Sequence, residues 1–163
     1  MNRRDALKRA GFSLAALGLG AGWAKAADKP EVFEVTKTDA EWKKLLPHDT
    51  YETLRHEATE RPFSSALLDE HRKGTFTCAG CDLPVYSSET KFDSGTGWPS
   101  FYDHLPDAIG QKSDTSLFSE RTEVHCHRCG GHLGHVFDDG PKPTGLRYCM
   151  NGVAMKFTPA AAT

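Results

Sequence analysis

The sequence predicts a mainly β domain of antiparallel strands, with short helices confined to its N-terminal part. Fifteen glycines and nine prolines among 163 residues indicate many turns, and therefore short strands rather than long helices. From Gly74 onward, short runs of β-branched and aromatic residues alternate with Gly, Pro, Asp and Ser, whereas the residues before Gly74 show helical spacing. The chain has the length of one domain with a tail.

Residues 1–26 are typical of a cleavable export signal and are not expected to belong to the fold. A basic start is followed by a mildly apolar run and by a small-x-small sequence that ends at Ala26. The adjacent Arg3 and Arg4 resemble the twin-arginine type of bacterial signal. The alternative is a fortuitous basic, amphipathic N-terminus. We expect cleavage after about Ala26 and a periplasmic protein.

The expected mature chain consists of an unstructured lead-in, residues 27–37, and a single domain, residues 38–160. Residues 1–26 carry five basic residues and one acidic residue, so 15 Lys and Arg and 21 Asp and Glu remain, with a formal net charge of −6. This charge argues against nucleic-acid binding, which depends on neutralising phosphates. No segment is long and apolar enough for a permanent membrane span, and a monomer is expected.

Helical patterns open the domain. In TDAEWKKLL, Thr38 can cap a short helix and Glu41 completes a capping box. DTYETLRHEATERPF predicts a second helix followed by a turn at its proline, and SSALLDEHRKG predicts a third. The residues expected to share the buried face of the first helix are Trp42, Leu45 and Leu46.

Six runs after these helices predict strands, because they combine β-branched and aromatic residues and are bounded by turn formers. In chain order they are GTFTC, LPVYS, TSLFSE, EVHC, HVF and YCMNGVAMKF.

Four of the five cysteines form two C-x-x-C pairs, which predict a metal site. Each pair directs two sulfurs at one point, and two pairs complete a tetrahedron around Zn²⁺. Gly80 and Gly130 are expected to relieve the tight backbone of these turns. The alternative is a pair of disulfides in an oxidising compartment. We expect one structural zinc per chain, and its ligands are Cys78, Cys81, Cys126 and Cys129.

The fifth cysteine, Cys149, lies in the sequence LRYCMNG. In an extended strand, Arg147, Cys149 and Asn151 point to the same side. A guanidinium and an amide next to a thiol favour its thiolate form. The alternative is that Cys149 is a small buried hydrophobic residue.

Two further stretches supply candidate site residues. GGHLGHVFDDGP places His132, His135 and Asp139 close together, and a histidine with a carboxylate can supply the acid catalysis that a thiol nucleophile needs. FDSGTGWPSF places Trp98 and Phe101 among glycines and a proline, where they could form an apolar wall for a small ligand. The alternatives are histidines that merely decorate a sheet and an aromatic residue of the core.

Three ordered motifs resemble the B-type peptide-methionine (R)-S-oxide reductase family: CAGCDLPVYSSETKFDSGTGWPSF, CHRCGGHLGHVFDDGP and LRYCMNG. The resemblance runs through nearly the whole expected mature chain, and it implies a β barrel of two antiparallel sheets. It implies that Cys149 is the nucleophile and that Trp98 packs against the methyl group of the sulfoxide. It also implies that the four paired cysteines bind zinc. The polar residues that it implies for holding the oxygen and tuning the thiol are His132, His135, Asp139, Arg147 and Asn151.

The function implied is reduction of methionine (R)-sulfoxide in peptides or proteins, through a sulfenic acid on Cys149. His135 or His132, oriented by Asp139 or acting through a water, is expected to supply a proton, and the role would be repair of oxidised exported proteins. Many family members carry a resolving cysteine where this chain has Thr96. We therefore expect a thioredoxin-like external thiol as the reductant. The rival functions are a zinc-ribbon-like binding module without catalysis and a thiol peptidase.

Overall fold

The computed structural model describes residues 31–116 and 119–161. The predicted export signal, and residues 27–30 of the predicted lead-in, lie outside the described residues. None of the helices within the described ranges has the length and the apolar content needed to cross a bilayer.

Two helices open the described domain, α1 (Asp39–Leu45) and α2 (His48–His56). The predicted capping box of α1 is confirmed, because the Thr38 hydroxyl accepts from the Glu41 backbone N–H and the Glu41 carboxylate accepts from the Thr38 backbone N–H. Trp42 is buried as predicted. The prediction of a buried Leu45 is wrong, since α1 ends there with Leu45 61% exposed and the following residue packs against the core instead.

The predicted third helix is also wrong, because residues 64–73 form successive turns and bends before the first strand begins at Gly74. The Ser64 hydroxyl donates to the Arg61 carbonyl, and the Ser65 hydroxyl accepts from the Leu67 backbone N–H. The Leu68 backbone N–H donates to the Ser65 carbonyl, which closes a turn of four residues rather than an α-helical turn. These serines give the backbone local partners that compete with a helix.

Within residues 31–116 and 119–161, nine strands form two antiparallel sheets, which confirms the predicted fold class. The smaller sheet has the order β2-β1-β9 and the larger sheet has the order β3-β4-β8-β7-β6-β5. The strands are β1 (Gly74–Cys78), β2 (Pro84–Ser87), β3 (Lys91–Phe92), β4 (Ser100–Phe101), β5 (Ile109–Asp114), β6 (Arg121–Cys126), β7 (His132–Phe137), β8 (Arg147–Met150) and β9 (Met155–Pro159).

Two strand predictions need correction. The run TSLFSE, residues 115–120, is not a strand where it is described, and its residues 117–118 lie outside the described residues. The strand is β5, just before it, whose sequence IGQKSD is polar because β5 is an edge strand with exposed side chains. The last predicted strand divides into β8 and β9, and a single 3₁₀ turn at Gly152–Ala154 carries the chain from the larger sheet to the smaller one.

An aromatic core joins the two sheets. The ring of Phe101 on β4 stacks on Tyr86 of β2 with centroids 4.4 Å apart, and it meets Phe76 of β1 edge to face at 5.0 Å. The Tyr86 hydroxyl lies 3.1 Å from the sulfur of Met150 on β8. All four side chains are fully buried, so burial of apolar surface holds the sheets together.

Candidate active site and cysteine cluster

The four paired cysteines meet at one point between the two sheets. Their sulfur atoms all lie within 4.8 Å of one another. Close contacts cross between the pairs, with 3.7 Å between the sulfurs of Cys78 and Cys129 and 3.5 Å between those of Cys81 and Cys126. Three of the four residues are buried, and Cys81 is partly exposed.

The backbone of each C-x-x-C turn aims its sulfurs at this point. In the second turn, Gly130 has a φ of +66° and its N–H donates to the Cys126 carbonyl. In the first turn, Asp82 occupies the equivalent left-handed position with a φ of 58°, and its N–H donates to the Cys78 carbonyl. Gly80 has another role than the one expected from the sequence. A Cβ at this position would lie 3.3 Å from the Leu54 side chain, so Gly80 permits close packing against α2.

The donor set and its spacing fit zinc. Two sulfurs that each lie about 2.3 Å from one tetrahedral zinc are about 3.8 Å apart, close to the cross-pair contacts. All five cysteines are free thiols in this structure, and the short contacts join one pair to the other rather than the two members of a pair. Without a cation, four sulfurs at such short distances would leave buried polarisable groups facing one another. The cluster can therefore hold a metal ion.

Cys149 lies on β8, in the middle of a row of polar side chains that crosses the larger sheet. In the pairing of β8 with β7, Cys149 stands opposite His135, and in the pairing of β8 with β4 it stands opposite Ser100. His135 in turn stands opposite Glu123 on β6. Directly opposed residues share one face of an antiparallel sheet with Cβ atoms about 5 Å apart. The register therefore places a histidine next to the thiol.

A glycine makes this close pairing possible. A Cβ on Gly134, the neighbour of His135, would lie 2.2 Å from the Cys149 carbonyl oxygen. Any larger residue would push β7 away from β8 and disturb the register between His135 and Cys149.

A pocket of about 220 Å³ opens over Cys149. Trp98 and Phe137 provide its aromatic surface, and His135 and Asn151 provide polar groups. Its lining residues are Thr59, Trp98, Arg121, Gly134, His135, Phe137, Cys149 and Asn151. The pocket is small and partly apolar, as expected for one side chain rather than a large ligand.

The environment of Cys149 sets its protonation. Burial raises the pKa of the Cys149 thiol, while the Thr96 hydroxyl, the charge of Arg147 and the Ser100 hydroxyl act to lower this pKa. The Thr96 Oγ1 atom lies 3.8 Å from the Cys149 sulfur. Deprotonation of Cys149 therefore depends on groups placed around it, because burial alone opposes it.

The carboxylate that orients His135 is Asp114, not Asp139. The His135 Nε2 atom lies 2.7 Å from Asp114 Oδ2, and Arg121 contacts the same oxygen at 2.6 Å. Hydrogen bonds from Ser116, His135 and Arg121 hold the pKa of Asp114 well below its usual value, so Asp114 is ionised and His135 donates to it. Burial lowers the pKa of His135, and the bond to Asp114 opposes this.

His132 is held by a second carboxylate, Glu123. The Nδ1 atom of His132 lies 2.8 Å from one oxygen of Glu123, and the Nδ1 atom of His125 lies 3.1 Å from the other. Burial opposes ionisation of Glu123, but hydrogen bonds from His125 and His132 and the charge of Lys112 hold its pKa at about 2. The ionised Glu123 accepts from both histidines and so fixes His132 with its proton on Nδ1. The ring of His132 is buried and meets that of His135 edge to face at 5.3 Å.

Asp139 binds Arg147 rather than a histidine. Two bonds of 2.8 Å join its carboxylate to the Arg147 guanidinium, which lies 4.4 Å from the centre of the Phe137 ring. This pairing lowers the pKa of Asp139 and raises that of Arg147. The expectation that Asp139 orients a histidine is therefore corrected: Asp139 holds the guanidinium that faces the thiol.

A loop after α2 fixes the other side of the pocket. The Glu60 carbonyl accepts from the Trp98 indole N–H at 3.1 Å, and the Glu60 backbone N–H donates to the Asn151 amide oxygen at 3.0 Å. The amide nitrogen of Asn151 donates to the Leu133 carbonyl at 3.2 Å, and Asn151 is buried. Glu60, which was not predicted from the sequence, thus binds both Trp98 and Asn151.

The structure brings most of the predicted site residues to the pocket or into contact with residues beside it, whereas Phe101 lies in the core. Cys149, His135, Trp98 and Asn151 line the pocket, and Arg147 lies beside the thiol. Phe101 does not line the pocket, and its expected part in the apolar wall is corrected because its ring packs in the core. The pocket and its supports also include residues that the sequence reasoning missed, which are Thr59, Glu60, Asp114, Arg121, Glu123 and Phe137.

The fold and the pocket together define a two-sheet β protein with a cysteine thiol in a small pocket. Comparison with known proteins identifies its family. The SelR domain family matches residues 46–159, and the chain belongs to this family of peptide methionine sulfoxide reductases. A relative from Methanosarcina barkeri, "Peptide methionine sulfoxide reductase MsrB", is 56% identical over 124 residues, which cover 76% of this chain and 87% of the relative. A relative of the same description from Leptospira interrogans is 52% identical over 126 residues, which cover 77% of this chain and 96% of the relative.

Among solved structures, the chain is similar to the "Yippee-like" domain of Mis18, with a TM-score of 0.44 and 16% sequence identity. That similarity covers 56% of this chain and all of the other, and it is too low to support an argument about function.

Proposed function

We propose that the protein reduces methionine (R)-sulfoxide in peptides and proteins, with Cys149 as the nucleophile. The observation that supports this most directly is the position of Cys149, opposite His135 in the strand register and in a pocket that Trp98 also lines. The relatives reported above are named peptide methionine sulfoxide reductases, and the chain matches them over most of their length.

The pocket is suited to a short thioether side chain that ends in a polar group. Trp98 and Phe137 offer apolar surface for the methyl group and the side-chain carbons of methionine sulfoxide. His135 and Asn151 offer polar groups for its oxygen. The two epimers of the sulfoxide exchange the places of methyl and oxygen, so a pocket with one apolar and one polar side favours one of them.

The chemical step transfers one oxygen atom. The Cys149 thiolate attacks the sulfoxide sulfur and forms a bond between the two sulfurs, while the protonated oxygen is released from the methionine sulfur. That oxygen then bonds to the Cys149 sulfur as the bond between the sulfurs breaks, which releases methionine and leaves Cys149 as a sulfenic acid. The methionine sulfur gains two electrons and Cys149 loses two, while one proton is taken up for each thiolate consumed. Arg147, held by Asp139, stabilises the thiolate before the attack.

His135 is the proposed source of that proton. It lines the pocket, whereas the buried His132 does not belong to the lining. Asp114 accepts from His135 and stabilises its charged form, so the pair acts as an oriented general acid. His132, fixed by Glu123, supports the ring of His135 from the side.

The four-cysteine cluster is the proposed site of one structural zinc ion. Four thiolates close the coordination shell, so the metal would stabilise the contact between the two C-x-x-C turns and would leave no position for substrate. The cluster joins the end of β1 in the smaller sheet to the end of β6 in the larger sheet.

Regeneration is proposed to use an external thiol. Thr96 stands beside Cys149, so no internal thiol is adjacent to the sulfenic acid at that place. A thioredoxin-like dithiol would attack the Cys149 sulfur, release water and form a mixed disulfide, which its second thiol would then resolve. With the signal expected at residues 1–26, this cycle would take place in the periplasm and would repair oxidised exported proteins.

The test uses the purified chain, dithiothreitol and peptides that contain either epimer of methionine sulfoxide, with loss of one oxygen followed by mass spectrometry. We expect loss from the R epimer only, and no loss with the matched variant Cys149→Ser. Equal loss from both epimers would refute the stereochemical part of the proposal. Equal rates for the parent and Cys149→Ser would refute the role of the thiol. Peptide cleavage instead of reduction would favour a thiol peptidase.

A further inference from the structure

A chain of three hydroxyl groups ends at the sulfur of Cys149. Ser100 Oγ lies 2.7 Å from Ser94 Oγ, and Ser94 Oγ lies 2.8 Å from Thr96 Oγ1. Thr96 Oγ1 lies 3.8 Å from Cys149 Sγ. At the far end, the Trp98 carbonyl oxygen lies 3.2 Å from Ser100 Oγ. The family assignment does not account for this series of hydroxyl groups, since Thr96 stands where many family members carry a cysteine.

The backbone holds both ends of the hydroxyl series, Ser100 and Thr96, in place. Ser100 is fully buried and stands opposite Cys149 in the pairing of β4 with β8. The Thr96 backbone N–H points toward Ser94 Oγ at 3.4 Å, and the Gly95 backbone N–H donates to Asp93 in the same turn. The hydroxyls are therefore presented to the sulfur by a short turn tied to a buried strand.

Such a chain can run in two directions, because each hydroxyl donates one hydrogen bond and can accept others. When Cys149 is a thiol, its S–H points to Thr96, and the donors run through Ser94 and Ser100 to the Trp98 carbonyl. When Cys149 is a thiolate, the donors run from Ser100 through Ser94 and Thr96 to the sulfur. The Trp98 carbonyl is the acceptor that allows the first direction, and the charged sulfur drives the second.

We propose that Thr96 is a catalytic residue that donates a hydrogen bond to the Cys149 thiolate, and that Ser94 is a positioning residue that orients this donor when the hydrogen bonds of the hydroxyl series reverse direction. Ser100 stands opposite Cys149, and its hydroxyl acts on the sulfur directly as well as on Ser94. The inference rests on the proposed nucleophilic role of Cys149. A hydrogen bond to a charged acceptor is stronger than one to a neutral acceptor, and a chain of donors strengthens the last bond. The distance from Thr96 Oγ1 to Cys149 Sγ is 3.8 Å, and the proposal requires this contact to shorten when the sulfur carries a charge.

The need for this donor follows from the surroundings of the sulfur. Burial raises the pKa of Cys149, and the positive charge of Arg147 is shared with Asp139 through two hydrogen bonds. The charged and titratable groups that face Cys149 are Arg147 on β8, His135 on β7 and Arg121 on β6, with Asp139 and Asp114 behind them. The three hydroxyls approach from β4 and the turn before it, where the charged group is Asp93, which accepts from the Gly95 backbone N–H.

The test measures the midpoint of Cys149 ionisation from the pH dependence of its alkylation by iodoacetamide, with the modified peptide quantified by mass spectrometry. Thr96→Val keeps the shape and removes the hydroxyl, and Ser94→Ala removes the next donor. We expect each change to raise the midpoint by about one pH unit, a roughly tenfold loss of thiolate below the midpoint. At a pH well above the midpoint, both variants should alkylate at the parent rate, which separates ionisation from access.

Thr96→Ser is the matched control, since it keeps the hydroxyl, and its midpoint should stay close to that of the parent. A midpoint in Thr96→Val equal to that of the parent would overturn the proposal, and so would an equal rise in Thr96→Ser. Melting temperatures of all variants show whether the fold is retained, and Ser94→Ala tests the same chain from a second position. The alkylation readout does not require sulfoxide reduction. A parent protein without reductase activity would therefore overturn the proposed function separately from this inference.

Discussion

Replacing Glu123 by glutamine tests how far a buried carboxylate supports the active face of the larger sheet. Glu123 is 1% exposed, and its two oxygens accept from the Nδ1 atoms of His132 and His125 at 2.8 and 3.1 Å. Lys112 lies 3.6 Å away. Glutamine has nearly the same shape, but its amide offers one acceptor and one donor group. One histidine N–H would then face an N–H, and the buried charge that matches Lys112 would be lost.

The expected cost is about 3 kcal/mol of folding free energy. A pKa lowered from 4.5 to about 2 corresponds to about that much differential stabilisation of the ionised form, and breaking a buried charge pair has a similar cost. Because the folded pKa of Glu123 is depressed, its contribution is present above pH 4.5 and is lost as the pH falls toward about 2. The difference between parent and variant should therefore be full at pH 7 and shrink in acid.

The assay is thermal unfolding at fixed zinc concentration, where we expect Glu123→Gln to melt roughly 10 °C below the parent at pH 7. The matched control is Glu57→Gln, because Glu57 also pairs with Lys112, at 2.8 Å, but is about half exposed. An exposed pair contributes less than about 1 kcal/mol, so this control should melt close to the parent. If Glu123→Gln costs no more than Glu57→Gln, the assignment of Glu123 as an ionised support of His132 is refuted.

Four further predictions concern the metal, the pocket and the thiol. Metal analysis should find one zinc per chain, and a strong chelator should lower the melting temperature; a folded protein without zinc would refute the cluster assignment. Trp98→Ala should lower kcat/KM at least tenfold with little change in melting temperature, whereas Phe101→Ala should cost about 3–5 kcal/mol of stability. The reverse result would place Phe101 in the pocket and Trp98 in the core. Asp114→Asn should lower kcat about tenfold or more and change its pH profile, because the amide of asparagine can still accept from His135 but lacks the negative charge that stabilises the protonated ring; an unchanged profile would contradict that role. Without external thiol, the parent should release one methionine per chain and give a dimedone adduct on Cys149, whereas Thr96→Cys should give an internal disulfide. Peptide mapping that finds Cys149 bonded to one of the four cluster cysteines in the parent would contradict this scheme.

The sequence predicted those features that depend on local patterns. The capping box at Thr38 needs only residues three apart, and each C-x-x-C turn needs only four consecutive residues. The shared face of Arg147 and Cys149 follows from the period of two in a strand, without knowledge of neighbouring strands. These predictions required no long-range contact.

The features that the sequence did not predict depend on strand register. Ser100 stands opposite Cys149, so the alternation along β4 turns Phe101 into the core. The partner of His135 is Asp114, which ends a polar edge strand 21 residues earlier, whereas the nearer Asp139 belongs to Arg147. Proximity along the chain therefore favoured the wrong carboxylate.

The pairing of β1 with β9 has a consequence for how the chain folds. Gly74 stands opposite Pro159 and Cys78 stands opposite Met155, so this ladder joins segments about eighty residues apart. In contrast, β5 to β8 form consecutive hairpins whose partners are close in sequence. Loop closure makes distant pairings slow, so we expect the strands around Cys149 to acquire hydrogen-exchange protection before the smaller sheet does. A chain that ends at residue 154 would lack the ladder between β1 and β9 and would leave β1 with β2 as its one neighbour in the smaller sheet.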